Sequence, residues 1–165
     1  MTAKKNTFLK AIITIALFFA VILFHTSEII DISIKNATPM LLLSLLTAFS
    51  FYSSMYASVI AGLISGALID SVAQSGYCFN TIIMLVIAVA VNVIANTLFN
   101  KNIFAAFALS LLVCALYYIA LWLCFHLINR TMEDSLIYLF SYALPSAVYS
   151  SVFILPFYYF YKFLN

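Results

Sequence analysis

Long apolar runs follow one another along almost the whole chain and are separated only by short polar stretches. In lipid, backbone amides must bond within the protein, so only helices or a closed barrel can span a membrane. These runs are far too long and uniform for barrel strands. Because only 7% of the residues are charged, against about a quarter in soluble domains, we predict an all-α, polytopic membrane protein.

The length of the chain limits how often it can cross the membrane. A helix needs roughly 20 apolar residues to cross a hydrocarbon core about 30 Å thick, which leaves room for about six transmembrane helices. We expect a single integral membrane domain over residues 1–165, with spans at residues 8–24, 39–51, 57–73, 79–99, 103–127 and 136–161. The second span is short, and we expect it to begin near Ile32 or Ile34.

The distribution of lysine and arginine predicts the orientation, because cytoplasmic loops carry an excess of these residues. If the N-terminus is cytoplasmic, Lys35 and Arg130 lie outside. The other basic residues then lie inside, namely Lys4, Lys5, Lys10, Lys101 and Lys162. Since the predicted number of crossings is even, both termini are expected in the cytoplasm.

Small or polar residues recur at every fourth position of the third span: Ser54, Ser58, Gly62, Gly66 and Asp70. Residues four apart on a helix share one face, with a drift of about 40° per step. In lipid, such a face lets another helix backbone approach closely. We interpret the last four of these residues as a helix-packing or partner interface. Packing within the bundle and docking of a partner's helix are both open at this point.

Asp70 is the one carboxylate inside a predicted span. A charged carboxylate at the centre of a membrane helix costs about 2.5 to 3.5 kcal/mol on insertion scales, and less near an interface. Asp70 is expected toward the outer end of its helix. Four explanations for a carboxylate at this position stay open: helix capping, exposure to water, a structural hydrogen bond and contact with a partner.

Two further sets of residues predict local structure in the later spans. Asn92, Asn96 and Asn100 repeat a four-residue spacing near the cytoplasmic end of the fourth span. Their amides are suited to bonding across helices, or alternatively to lining a small ligand site. Pro145 and Pro156 lie within the last span, where each removes a backbone hydrogen bond, so we expect that helix to be kinked.

Few residues could carry chemistry. His25, Glu28 and Asp31 follow the first helix, and His126 should lie on the same side, but they lack the spacing of metal ligands. The sequence contains no nucleophile elbow, HExxH motif or glycine-rich phosphate loop. Its net charge of +2 comes from scattered basic residues, which do not suit phosphate binding. We therefore predict no catalytic, cofactor-binding or metal-binding residues and no nucleic-acid partner.

The third span ends in Gly62-Leu-Ile-Ser-Gly66-Ala-Leu-Ile-Asp70, a GxxxGxxxD pattern. Gly76 follows in the outer loop, and the last span contains two prolines. With these features, in a chain of this length and helix number, the sequence resembles the bacterial rod shape-determining protein MreD family. The resemblance covers the whole chain, and GxxxGxxxD is its motif.

The resemblance implies a non-enzymatic scaffold of the cell-elongation machinery in the bacterial cytoplasmic (inner) membrane. Proteins of that family associate with the single-span protein MreC and other elongation-complex membrane proteins. Through them they connect to the actin-like MreB filament and to peptidoglycan synthesis along the lateral wall. A helix of a partner would then dock on the small-residue face of the third span.

Two other functions stay open. The family's fold resembles the substrate-binding membrane subunits of energy-coupling-factor vitamin transporters, which dock through an AxxxA face like that of Ala16 and Ala20 in the first helix. A vitamin site, however, needs several converging polar groups, and this chain supplies few. A proton-coupled enzyme or channel ranks third, since a proton relay needs several ionisable groups within the membrane.

Overall fold

The computed structural model of the protein describes residues 2–26, 39–73, 78–97, 102–126 and 136–164, which contain no β-strand. The α-helices are α1 (Thr2–Thr26), α2 (Leu41–Tyr52), α3 (Met55–Ala73), α4 (Phe79–Thr97), α5 (Ile103–Leu121), α6 (Leu144–Val152) and α7 (Ile154–Leu164). A π-helical turn, Trp122–His126, follows α5, and a second, Leu139–Ala143, precedes α6. The prediction of an all-α fold is confirmed.

The described residues contain four segments long and apolar enough to cross a membrane, namely Met55–Val72, Phe79–Thr97, Ile103–Cys124 and Leu136–Leu164. The apolar parts of α1 and α2 are shorter. The 12 residues of α2 extend about 18 Å at 1.5 Å per residue, less than the thickness of a hydrocarbon core. The expected start of this span near Ile32 or Ile34 lies outside the described residues.

Helix α2 lies at the centre of the fold and contacts each of the other helices. All residues from Leu42 to Ala48 are buried, including the polar residues Ser44 and Thr47, because the other helices pack around α2. Its first turn is held by α6: the Met40 N–H donates to Ser150 Oγ at 2.9 Å, and Ser44 Oγ donates to the Ser150 carbonyl at 2.5 Å. The remaining helices therefore form a layer around α2.

The last span is interrupted ahead of each of its prolines. Pro145 is the second residue of α6, which begins directly after the π-helical turn Leu139–Ala143. Pro156 is the third residue of α7, and Phe153, which separates α6 from α7, donates its N–H to the Ser150 carbonyl at 3.2 Å. A proline cannot donate to the carbonyl four residues earlier, so regular α-helical bonding changes just before it.

Candidate functional site: the seam between α3 and α4 and a membrane-facing groove

Helices α3 and α4 form the most extensive helix pair of the fold, and the two glycines lie in their contact. A Cβ atom at Gly62 would lie 2.9 Å from both Ala88 Cβ and the Met84 carbonyl oxygen. A Cβ atom at Gly66 would collide with Thr81 Cα and lie 2.7 Å from the Asn80 carbonyl oxygen. The small-residue face of α3 therefore packs within the bundle, against α4 of the same chain.

We call this contact the seam. On α3 it comprises Ser58, Gly62, Gly66 and Asp70. On α4 it comprises Asn80, Thr81, Met84, Ala88 and Asn92. Because Gly62 and Gly66 have no side chains, the two backbones approach closely enough for polar side chains at either end of the seam to reach the other helix or its neighbours.

At one end of the seam, Asp70 caps the first turn of α4. Its Oδ1 accepts hydrogen bonds from the Asn80 N–H at 3.1 Å and from Asn80 Nδ2 at 2.9 Å. Its Oδ2 accepts from the Thr81 N–H at 2.8 Å and from Thr81 Oγ1 at 2.6 Å. These N–H groups have no carbonyl partner within α4, and a helix N-terminus favours a nearby negative charge. Asp70 therefore acts as the N-terminal cap of a neighbouring helix.

The cap continues to α5 through a buried amide. Asn80 is only 8% exposed, and its Oδ1 accepts a hydrogen bond of 2.7 Å from the hydroxyl of Tyr117. A chain of hydrogen bonds thus joins Asp70 on α3, Asn80 on α4 and Tyr117 on α5. The side chains of Asp70, Asn80 and Tyr117 are thus hydrogen-bonded to one another, as burial of polar groups in an apolar interior requires.

At the other end of the seam, Asn92 closes the corner between α2 and α3. Its Nδ2 group donates to the carbonyl oxygens of Ser50 and Ser53, at 2.9 and 2.8 Å. It also lies 3.2 Å from Ser58 Oγ. The last carbonyls of a helix have no partner within that helix. Asn92 therefore provides at the C-terminus of α2 what Asp70 provides at the N-terminus of α4.

Two neighbours complete this corner. Ser58 is buried, and its hydroxyl bonds the Ser53 hydroxyl at 2.8 Å and the Ser54 carbonyl at 3.1 Å. Asn96 differs from its predicted interhelical role, because its amide donates to the carbonyl and Oδ1 of Asn92 on the same helix, at 2.9 and 3.2 Å. At a spacing of four residues these two side chains share one face of α4, and among the described residues Asn96 bonds Asn92 on its own helix.

A groove on the membrane-facing side of the bundle lies between α1 and α3, with α2 and α7 at its base. It encloses about 560 Å³. Lys10 is the one charged side chain among the described residues that line it. An aromatic cluster joins the α1 wall to the base, with Phe49 of α2 in edge contact with both Phe18 of α1 and Tyr161 of α7, at ring-centre distances of 5.7 and 5.6 Å.

Not every predicted position can be placed. Glu28, Asp31, Gly76 and Asn100 lie outside the described residues, and the side chains of His25 and His126 lie outside them as well.

Sequence reasoning missed the partners of the polar residues on the seam. Asn80 and Thr81 carried a usable signal, since they are polar residues in the first turn of an apolar helix, where free N–H groups need acceptors. Tyr117 carried none, because nothing local marks a tyrosine as the partner of Asn80, which is 37 residues away in sequence. The same holds for Ser150, the partner of Met40 and Ser44 outside the seam.

The comparisons with known proteins gave one match. A family model described as rod shape-determining protein MreD matches residues 4–165, nearly the entire chain. The comparisons with curated proteins and with solved structures gave no match. The resemblance to energy-coupling-factor subunits therefore stays a prediction.

Proposed function

Because this chain belongs to the MreD family of rod shape-determining proteins, we propose that it is a non-enzymatic scaffold that assembles the cell-elongation machinery in the bacterial inner membrane. A role in rod shape determination and a location in the membrane follow from the family and from the four spanning segments. Assembly with MreC, and through it with MreB and the peptidoglycan synthesis proteins, is the more specific part of the proposal.

The observation that carries this proposal is the family match, and the seam supports it. Asp70, Asn92 and Ser58 direct their hydrogen bonds to helix ends and corners of the same chain. Such bonds hold the helices in one arrangement. A protein whose role is to present a fixed surface to partners needs this kind of rigidity. Ser58, Gly62, Gly66 and Asp70 thus support assembly by maintaining the shape of the bundle.

This changes where a partner helix would dock. A helix from MreC cannot reach Gly62 or Gly66 while α4 covers them. It would have to lie on the outer, lipid-facing surface of the bundle, where large apolar side chains of several helices are exposed, including Ile82, Leu112 and Val148. We therefore place the docking of partners on the outer surface.

We further propose that both termini are cytoplasmic. The groove brings Lys10, near the start of α1, together with Tyr161 and Leu164, near the end of α7. Lys162 lies in the last turn of α7. Tyrosine is favoured at membrane interfaces and lysine on the cytoplasmic side, which supports the predicted orientation.

The proposal is tested by complementation in a rod-shaped bacterium depleted of its own MreD, with pull-down of tagged MreC from the same cells. We expect the wild-type chain to restore rods and to co-purify with MreC. The comparison variant is Gly66→Leu. It should neither restore rods nor co-purify with MreC, because the added side chain separates α3 from α4. Restored rods without MreC would contradict the assembly step. A vitamin that co-purifies stoichiometrically, detected by mass spectrometry, would instead support a transporter subunit.

A further inference from the structure

The groove between α1 and α3 is a second feature of the surface, separate from the seam. Its walls are Ile15, Phe19 and Ile22 on α1 and Ile60, Ile64 and Leu68 on α3, with Phe49 of α2 among the residues at its base. Its volume of about 560 Å³ lies within the range of small-molecule sites, which is roughly 300 to 1,000 Å³. Because Ile15, Phe19, Ile60 and Ile64 are exposed on two apolar helices, we expect the groove to face the acyl region of the bilayer.

The lining of the groove also includes several polar side chains. Lys10 and Thr14 lie on α1, and Tyr52 and Ser53 lie where α2 ends and α3 approaches. Lysine near a membrane interface extends its ammonium toward the headgroups while its methylene chain stays in the apolar region. The groove therefore combines a long apolar lining with a single cation and neighbouring hydroxyl groups.

We propose that this groove binds one acyl chain of an anionic glycerophospholipid, with the Lys10 ammonium at the lipid phosphate. The acyl chain lies between Ile15 and Ile64, and Lys10, at the N-terminal end of the α1 wall, lies at the headgroup end. Charge complementarity selects the headgroup, because a cation near an anionic membrane surface favours it by about 1 kcal/mol, or about fivefold. A single acyl chain can fill this volume, whereas a partner helix, about 10 Å across, would insert only side chains into it.

The headgroup part is tested with the full chain reconstituted in vesicles of phosphatidylcholine and phosphatidylglycerol, mixed in equal amounts. After detergent extraction, native mass spectrometry counts the lipids that stay bound. We expect about fivefold more phosphatidylglycerol than phosphatidylcholine on the wild type and equal retention on Lys10→Gln. Lys162→Gln is the matched control, since Lys162 lines a different pocket, together with Asn102 and Tyr159, and is not part of the groove lining. Equal retention by the wild type, or an unchanged preference in Lys10→Gln, overturns the proposal.

The acyl-chain part is tested by filling the groove. Ala57 is half-buried in the groove lining, so Ala57→Trp should remove most of the retained lipid. Ala67→Trp is the control, because Ala67 is exposed on the same helix and outside the groove. Size-exclusion chromatography checks that each variant is folded. If Ala57→Trp does not fold, a photoreactive acyl chain on phosphatidylglycerol, crosslinked to wild-type protein and mapped by peptide mass, replaces it.

Crosslinks at the groove-lining residues of α1 and α3 support the proposal, and crosslinks spread evenly around the bundle overturn it. A protein helix found in the groove in membranes from cells, in place of lipid, also overturns it. The scaffold proposal does not depend on these results, because MreC pull-down and lipid retention are measured separately.

Discussion

At each end of the seam, a side chain hydrogen-bonds backbone groups at the end of a neighbouring helix, as an acceptor at one end and as a donor at the other. Near one end, the Asp70 carboxylate accepts hydrogen bonds from the N-terminus of α4. Near the other, the Asn92 amide donates hydrogen bonds to carbonyls at the C-terminus of α2. Because a helix carries partial positive charge at its N-terminus and partial negative charge at its C-terminus, an acceptor suits the first end and a donor the second.

The ends also differ in how tightly the backbones meet. At Gly66 the three atoms nearest to an added methyl group are all backbone atoms of Asn80 and Thr81, which cannot move without moving α4. At Gly62 the nearest atoms include the Ala88 side chain as well as a carbonyl. The Asp70 end therefore combines a charge with backbone contact, and it should tolerate substitution less than the Asn92 end.

The largest expected effect is that of Gly66→Ala. We expect it to lower the free energy of unfolding by about 3 kcal/mol, since overpacking in a tight contact typically costs 1 to 3 kcal/mol and here forces two backbones apart. Gly62→Ala is the matched comparison, with an expected loss of about 1.5 kcal/mol. Denaturation with sodium dodecyl sulfate in mixed micelles measures both. An equal or smaller loss for Gly66→Ala would contradict the difference between the two ends.

Asp70→Asn should follow, with a loss of about 2 kcal/mol. The asparagine keeps one acceptor oxygen for Asn80, but its amide nitrogen cannot accept from Thr81, and the charge at the α4 N-terminus is lost. The same denaturation experiment measures it, and Asp70→Glu tests whether charge alone is enough. Full stability of Asp70→Asn would show that hydrogen-bond acceptance by one oxygen suffices.

Asn92→Leu should cost about 1 kcal/mol, within the measured range for interhelical hydrogen bonds in membranes. Leucine has the same number and branching of side-chain heavy atoms as asparagine and leaves no cavity, so the loss reports the unpaired carbonyls of Ser50 and Ser53. Hydrogen exchange at the end of α2 should rise in this variant while exchange in the first turn of α4 stays unchanged. Equal changes in both regions would mean that the two ends are not independent.

The smallest effect is expected for Asn96→Ala, at about 0.5 kcal/mol or less, because Asn96 bonds only its own helix among the contacts described. In a double-mutant cycle with Asn92→Leu, the part of this loss that comes from the Asn92 Oδ1 contact should disappear, whereas the bond to the Asn92 backbone carbonyl is kept. A loss as large beside Asn92→Leu as in Asn96→Ala alone would show that the Oδ1 contact contributes nothing.

Much of the fold could be predicted because each prediction used local information. The predicted spans begin or end within a few residues of the observed helices, as at Phe79 and Ala73. The four-residue face of α3 was predicted from helical periodicity, which depends on nothing beyond the helix itself. The place of α2 at the centre was not predicted, because an apolar helix has the same sequence pattern whether lipid or protein surrounds it.

The sequence by itself determined that this is a helical membrane protein with a close-contact face ending in Asp70, since lipid allows few ways to satisfy a backbone. Only the tertiary structure decided what meets that face. The partners of Gly66, Asp70 and Asn92 are other helices of the chain, brought within hydrogen-bonding distance by packing. Which helices become neighbours depends on the shapes of all the contacting surfaces together, and no local pattern records that.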